Sequence, residues 1–93
     1  VLTNLTANTF TDTTKTGTVL VVWLASWHAP SLALGNRVQK LISKSKIFGV
    51  DVDQETELAM QFSVRGIPTL MLFQDGQLIA RETTLTPELQ GQI

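Results

Sequence analysis

Five residues at 27–31, W-H-A-P-S, hold the single histidine of the chain and, three positions on, a serine. If a helix starts here, His28 and Ser31 share its first turn and a hydrogen bond between them is within reach. A hydroxyl beside an imidazole is the beginning of a nucleophile–base pair. Such a pair also needs an acid to orient the base and donors for an oxyanion. No carboxylate lies within the turn, so nucleophilic catalysis is not expected. A zinc site takes three or four ligands, and one histidine with no cysteine leaves carboxylates to supply the rest. Neither a metal nor any other cofactor is expected. The residues then read more plainly: His28 as an exposed turn residue or a polar contact for a partner, and Ser31 as a small space-filler. Trp27 either covers the edge of a core or stands exposed on a binding surface, where aromatic anchors are enriched.

The elements around this turn are legible from pattern. Residues 19–25 form a continuous apolar run, which suits a strand covered on both faces. Pro30 fits the first turn of a following helix. Leu34, Val38, Leu41 and Ile42 then recur at helical spacing, with Arg37, Lys40 and Lys44 on the other side, which predicts an amphipathic helix of about four turns. Gly35 within it costs about 1 kcal/mol relative to alanine and could permit a kink. Upstream, eight threonines in residues 1–18 argue against a long helix. Residues 2–5 suit an edge strand, and Thr6 can cap a short helix over 7–15 anchored by Phe10, before Gly17 breaks the chain.

Downstream, residues 46–52 (KIFGVDV) predict a second buried strand. Asp53 is expected to cap the next helix, with Glu55 and Glu57 near its positive end. Leu58, Ala59 and Phe62 form that helix's apolar face, and Gly66 closes it. Residues 69–73 predict a third buried strand, Asp75-Gly76 a hairpin turn, and 77–81 the returning strand. Thr86-Pro87-Glu88 places a cap, a proline and an acid in helix-starting order. Trp23, Met60 and Met71 are expected in the core, and Arg65 as a solvated charge. Strands alternating with helices and ending in a hairpin predict an α/β fold, a mixed sheet flanked by helices.

Bulk composition sets the outer limits. The 93 residues are 43% hydrophobic and 16% charged with a formal net charge of −1, a globular composition sufficient for one domain over 1–93. No basic run supports nucleic-acid binding. No apolar stretch is long enough for a membrane span, so no membrane partner is expected. The absence of cysteine removes disulfides, thiolate catalysis and cysteine metal sites, and favours a cytoplasmic location. A chain that opens on Val1 rather than Met is expected to be a processed protein or a piece of a longer one.

Three motifs carry a resemblance to the thioredoxin family over residues 19–89. W-H-A-P-S at 27–31 is similar to the family's W-C-G-P-C at a strand-to-helix turn. V-D-V-D at 50–53 precedes a helix. V-R-G-I-P-T at 64–69, running into L-M-L-F-Q-D-G, resembles V-R-G-I-P-T-L-L-L-F-K-N-G almost letter for letter. The resemblance implies the thioredoxin fold. It also implies a cis Pro68 lying against the turn, as an X-Pro bond prefers trans by only ~0.5–1 kcal/mol, with the backbone at Ile67 free to pair with an extended peptide.

The departures are as informative. The family's chemistry needs a thiolate at a helix N-terminus and a second thiol to resolve the mixed disulfide. Here those positions are His28 and Ser31, with Ala29 in place of the glycine. Alignment sets Val22 where the family buries an aspartate, and Gly49 where a lysine lies near it. A buried charged pair is costly and retained when its chemistry needs it, so its loss together with both thiols fits a domain adapted to life without redox chemistry. Dithiol–disulfide exchange is therefore not expected.

The resemblance implies a non-catalytic adaptor that binds a protein or an extended peptide segment in the former redox groove. Its residues would be Trp27, His28, Ala29, Pro30, Ser31, Ile67, Pro68 and Thr84. Non-catalytic domains of the protein disulfide isomerase group are similar, since they hold polypeptide without reacting with it. Three alternatives stay open: chaperone-like holding of unfolded chains as part of a larger protein, a structural subunit with a vacant groove, and an enzyme of unrecognised chemistry.

Overall fold

The computed structural model describes residues 2–41 and 46–93. Among the described residues, five strands and four helices follow in the expected order: β1 (Thr3–Asn4), α1 (Ala7–Thr14), β2 (Thr18–Leu24), α2 (Ala29–Leu41), β3 (Lys46–Asp51), α3 (Thr56–Gln61), β4 (Thr69–Gln74), β5 (Gln77–Glu82) and α4 (Pro87–Gln92). The strands form one sheet in the order β1-β3-β2-β4-β5. β1, β2 and β3 run parallel, while β4 is antiparallel to both β2 and β5.

β2 is the centre of the sheet, which explains its unbroken apolar sequence. Strand side chains alternate between faces, and each face here carries a helical layer. Val19, Val21 and Trp23 join Phe10 of α1 and Leu58 and Ala59 of α3 on one side. Leu20, Val22 and Leu24 join Leu34 and Val38 of α2 and Leu89 of α4 on the other. The first layer is stitched by aromatic contacts: the Phe10 ring lies 5.0 Å from Phe62, 5.6 Å from Phe73 and 5.9 Å from Trp23, centroid to centroid.

Local signals start and stop the elements. The Thr6 N–H donates to Thr9 Oγ1 at 2.9 Å at the start of α1. Thr86 Oγ1 accepts from the Leu89 N–H at 3.1 Å at the start of α4, the side-chain cap its sequence predicts. Asp75 and Gly76 both have positive φ, 50° and 87°, the backbone that a tight two-residue hairpin requires. Asp75 Oδ1 also accepts the Gly17 N–H at 2.8 Å, which ties the hairpin to the start of β2.

Two expectations are corrected. Met60 is 77% exposed rather than in the core: with Leu58, Ala59 and Phe62 turned inward, the residue between them falls on the outer face of α3. Met71 is fully buried as expected. Asp53 does not cap α3. Asp51 takes the turn instead, its Oδ1 accepting the N–H groups of Asp53 (2.9 Å) and Gln54 (3.3 Å). Glu55 holds the N-cap position and its carboxylate accepts the Ala7 N–H at 2.8 Å, joining α1 to α3. Ile42 and Lys44, expected on opposite faces of α2, lie outside the described residues, as does the side chain of Leu41. Among the described residues no helix is long and apolar enough to cross a membrane.

Candidate functional site

The turn at 25–31 sits at the carboxyl end of β2, where the chain leaves for β3 on one side while β4 lies on the other. Such a switch point in an α/β sheet leaves a crevice outside the strand ends. The start of α2 closes this turn on itself. His28 acts as its cap: its C=O accepts the Ser31 N–H at 3.1 Å, and its ring Nδ1 accepts the same N–H at 3.1 Å. The ring lone pair at Nδ1 is thereby taken up by the helix start.

Ser31 is 0% exposed. Its hydroxyl donates to the His28 C=O at 2.8 Å and accepts the Ala25 N–H at 3.3 Å. This corrects its place on the groove surface: a fully buried side chain offers no atom to a partner. It also answers the chemical question of the motif. The hydroxyl proton goes to a carbonyl and the imidazole lone pair to a backbone N–H, so the two side chains do not form a nucleophile–base pair. Ser31 fills a buried space and satisfies backbone groups around it.

Trp27 is 67% exposed. It is nonetheless held: its indole N–H donates to Asp53 Oδ2 at 2.5 Å, and its ring meets His28 edge-on at 5.5 Å. Asp53 is the residue that sequence reasoning assigned elsewhere. The signal was available in the strand pairing. β2 and β3 are parallel neighbours with Leu24 opposite Asp51, so residues shortly after both strands meet at one end of the sheet.

Across the crevice, the Ile67–Pro68 peptide bond is cis. Ile67 and Pro68 are half-buried, and neither the N–H nor the C=O of Ile67 has a hydrogen-bond partner among the described residues. Pro68 borders two clefts. One, of about 290 Å³, joins it to Pro30, Arg37 and Thr84. The other, of about 380 Å³, joins it to Ile67, Arg65 and Arg81. The structure thus brings Pro30, Pro68 and Thr84 together around one cleft, and Ile67 and Pro68 around its neighbour. Trp27 and the exposed Ala29 belong to the adjoining turn. Thr83, common to both clefts, and the three arginines were not among the residues expected at the site.

Beneath the turn, Val22 and Gly49 are direct partners across the β2–β3 ladder. Val22 is fully buried. A β-carbon on Gly49 would meet Asn4 Oδ1 at 2.6 Å and Leu24 Cδ2 at 3.4 Å. The side chain of Asn4 therefore occupies the space beside this position, and among the described residues no charged pair is buried under the turn. Among the described residues no cluster of three or more His, Cys, Asp or Glu could hold a metal ion.

This architecture, with a helix-starting turn facing a cis-proline across a mixed sheet, defines a thioredoxin-fold protein whose turn carries no thiol. Comparison with known proteins agrees. The thioredoxin family model matches residues 1–90, and the chain belongs to the thioredoxin family. It is 36% identical over 90 residues to thioredoxin 1 of Chlorobaculum tepidum, covering 90% of this chain and 89% of that one. It is 34% identical over 73 residues to thioredoxin C-2 of Corynebacterium nephridii, covering 74% and 68%. Among solved structures, a mutant thioredoxin from Halobacterium salinarum superposes with a TM-score of 0.84 at 31% identity, covering 99% of this chain and 86% of that one. Mitochondrial thioredoxin 3 of Saccharomyces cerevisiae gives 0.83 at 26% identity, covering 98% and 91%. With no cysteine in its 93 residues, this member lacks the atoms that dithiol–disulfide exchange requires.

Proposed function

We propose that this chain is a non-catalytic binding domain that takes an extended polypeptide segment across Ile67 and Pro68, with an apolar side chain of the segment against Trp27. The observation that carries the reading is the backbone of the half-buried residue Ile67, whose N–H and C=O are both unpaired among the described residues. Backbone N–H and C=O are strong hydrogen-bonding groups, and an extended peptide is the partner that satisfies both together. Trp27 supports the same reading. An exposed aromatic already held by the Asp53 carboxylate loses little freedom on binding, and rigid aromatic anchors gain affinity for that reason.

A random linear-peptide display library panned on the domain, followed by NMR mapping of an enriched peptide, tests this. Chemical-shift changes are expected to centre on the Ile67 amide and the Trp27 indole N–H. Changes centred on α1 and β5 would sink the reading. They would favour the structural-subunit alternative, which draws support from Leu78 and Ile79, both exposed on the hairpin, beside a cleft whose lining includes Phe10, Phe62 and Phe73.

A further inference from the structure

We propose that the groove selects segments bearing carboxylates, and that Arg37, Arg65 and Arg81 read them. This rests on the peptide-binding reading above and adds its charge specificity. The chain has three arginines, far apart in sequence, and all three border the clefts that flank Pro68. Arg65 and Arg81 line one and Arg37 the other. Pro68 and Thr83 belong to both, so the two clefts flank one shared wall and form the two halves of the proposed site. No Asp or Glu lines either half, nor does Lys15, Lys40 or Lys46. The formal net charge of the chain is −1, so this gathering of guanidinium groups runs against its average.

The groups are available to a ligand. Arg37 and Arg65 are exposed, and neither has a hydrogen-bond or ion-pair partner among the described residues. Arg81 is held in place, its two terminal nitrogens donating to the Phe62 and Ser63 carbonyls at 2.6 Å each. A guanidinium carries further N–H groups beyond those two, now fixed in orientation. The nearby acids lie outside the lining: Glu82, on the α2 face of the sheet, and Asp53, at the adjoining turn, border neither cleft.

Arginine at such a surface matches carboxylates with paired, charge-assisted hydrogen bonds. Successive side chains of an extended segment point to opposite sides, so neighbouring positions of one segment can address different halves. A nucleic-acid strand shares the anionic chemistry. It is disfavoured because it offers no strand-like N–H and C=O pair to the open backbone of Ile67, and the chain as a whole carries a formal net charge of −1.

The test compares two fluorescein-labelled heptapeptides by fluorescence polarisation at physiological salt. One alternates Glu and Val; the other replaces every Glu by Gln. The acidic peptide is expected to bind at least about tenfold more tightly, a difference of about 1.4 kcal/mol. Arg37→Gln/Arg65→Gln, two exposed positions whose loss leaves the core intact, is expected to cut that advantage to about threefold or less, whereas Trp27→Ala weakens both peptides alike. Equal binding of both peptides, lost in Trp27→Ala, overturns the acidic selection and leaves the peptide groove standing. An acidic preference that survives the double arginine variant also overturns it. Tighter binding of an oligothymidylate than of the acidic peptide transfers the site to nucleic acid. Binding of neither peptide at about 1 mM, where even weak complexes form, overturns both proposals.

Discussion

The indole N–H of Trp27 and the carboxylate of Asp53 meet at 2.5 Å, which ties the loop after β2 to the loop after β3. The bond joins the most prominent exposed aromatic of the turn to an acid 26 positions on. It turns a mobile surface side chain into a fixed one, and the predictions begin there.

Asp53→Ala removes the acceptor. Both partners are exposed, so the expected loss of stability is about 0.5–1 kcal/mol by denaturant unfolding. The sharper readout is motion: the indole N–H of Trp27 gains fast mobility in heteronuclear NOE measurements. Affinity for a groove peptide falls about three- to tenfold, because the ring must then be ordered on binding. An unchanged NOE would mean that edge-on contact with His28 is enough to hold the ring.

Ser31→Ala separates structure from recognition. The buried Ala25 N–H loses the Ser31 oxygen and the turn loosens, at an expected cost of about 1–2 kcal/mol in unfolding free energy. Peptide affinity is expected to stay within about twofold, since Ser31 has no exposed atom with which to touch a peptide. A large affinity loss with little loss of stability would contradict the buried placement.

Val22→Asp reinstates half of the family's buried pair. A carboxylate at this fully buried position has no partner, and the expected destabilisation is about 3 kcal/mol or more at neutral pH. Its ladder neighbour is Gly49. The double variant Val22→Asp/Gly49→Lys is expected to recover at least about 1 kcal/mol of that loss, a coupling that a double-mutant cycle measures. Additive losses would show that a lysine at position 49 cannot displace Asn4.

Gly35→Ala tests which of two opposed effects wins within α2. Alanine gains about 1 kcal/mol of helix propensity over glycine. Against this, the new methyl meets Leu2 Cδ1 at 3.1 Å. That atom is the tip of a half-buried side chain beside a two-residue edge strand, and it can yield by the few tenths of an ångström needed. The expected outcome is a gain of a few tenths of a kcal/mol up to about 1 kcal/mol, read as a higher denaturant midpoint. A loss would show that Leu2 is fixed by its neighbours.

Most of the fold was legible because its signals are local. The run at 19–25, the Asp75-Gly76 turn and the Thr86-Pro87 start each act within a few residues, and each element appears where its pattern predicts. Asp53 and Met60 went astray for related reasons. The Asp51 carboxylate, at the end of β3, is the one that accepts the turn N–H groups, and Glu55 holds the N-cap position. The facing of α3 was decided by the aromatic layer that Phe62 joins, not by the residue type of Met60. At the site, the turn and Pro68 were legible from motif. The Trp27–Asp53 bond and the arginine gathering were not, since both join segments that are distant in the chain.

The amino-acid sequence by itself determined the chemical inventory and the order of elements. No thiol is present, so no disulfide chemistry follows, and each strand, turn and cap is specified by neighbours a few positions away. Only the tertiary structure settled that Ser31 is buried, that the His28 ring accepts from the helix start, and that Arg37 borders one cleft beside Pro68 while Arg65 and Arg81 border the other. The reason is physical. Propensity and composition act over one or two turns of chain, whereas these juxtapositions depend on β2 lying between β3 and β4. That strand order, set by burying two apolar faces at once, brings residues 27 and 53, and 37, 65 and 81, to the same end of the sheet.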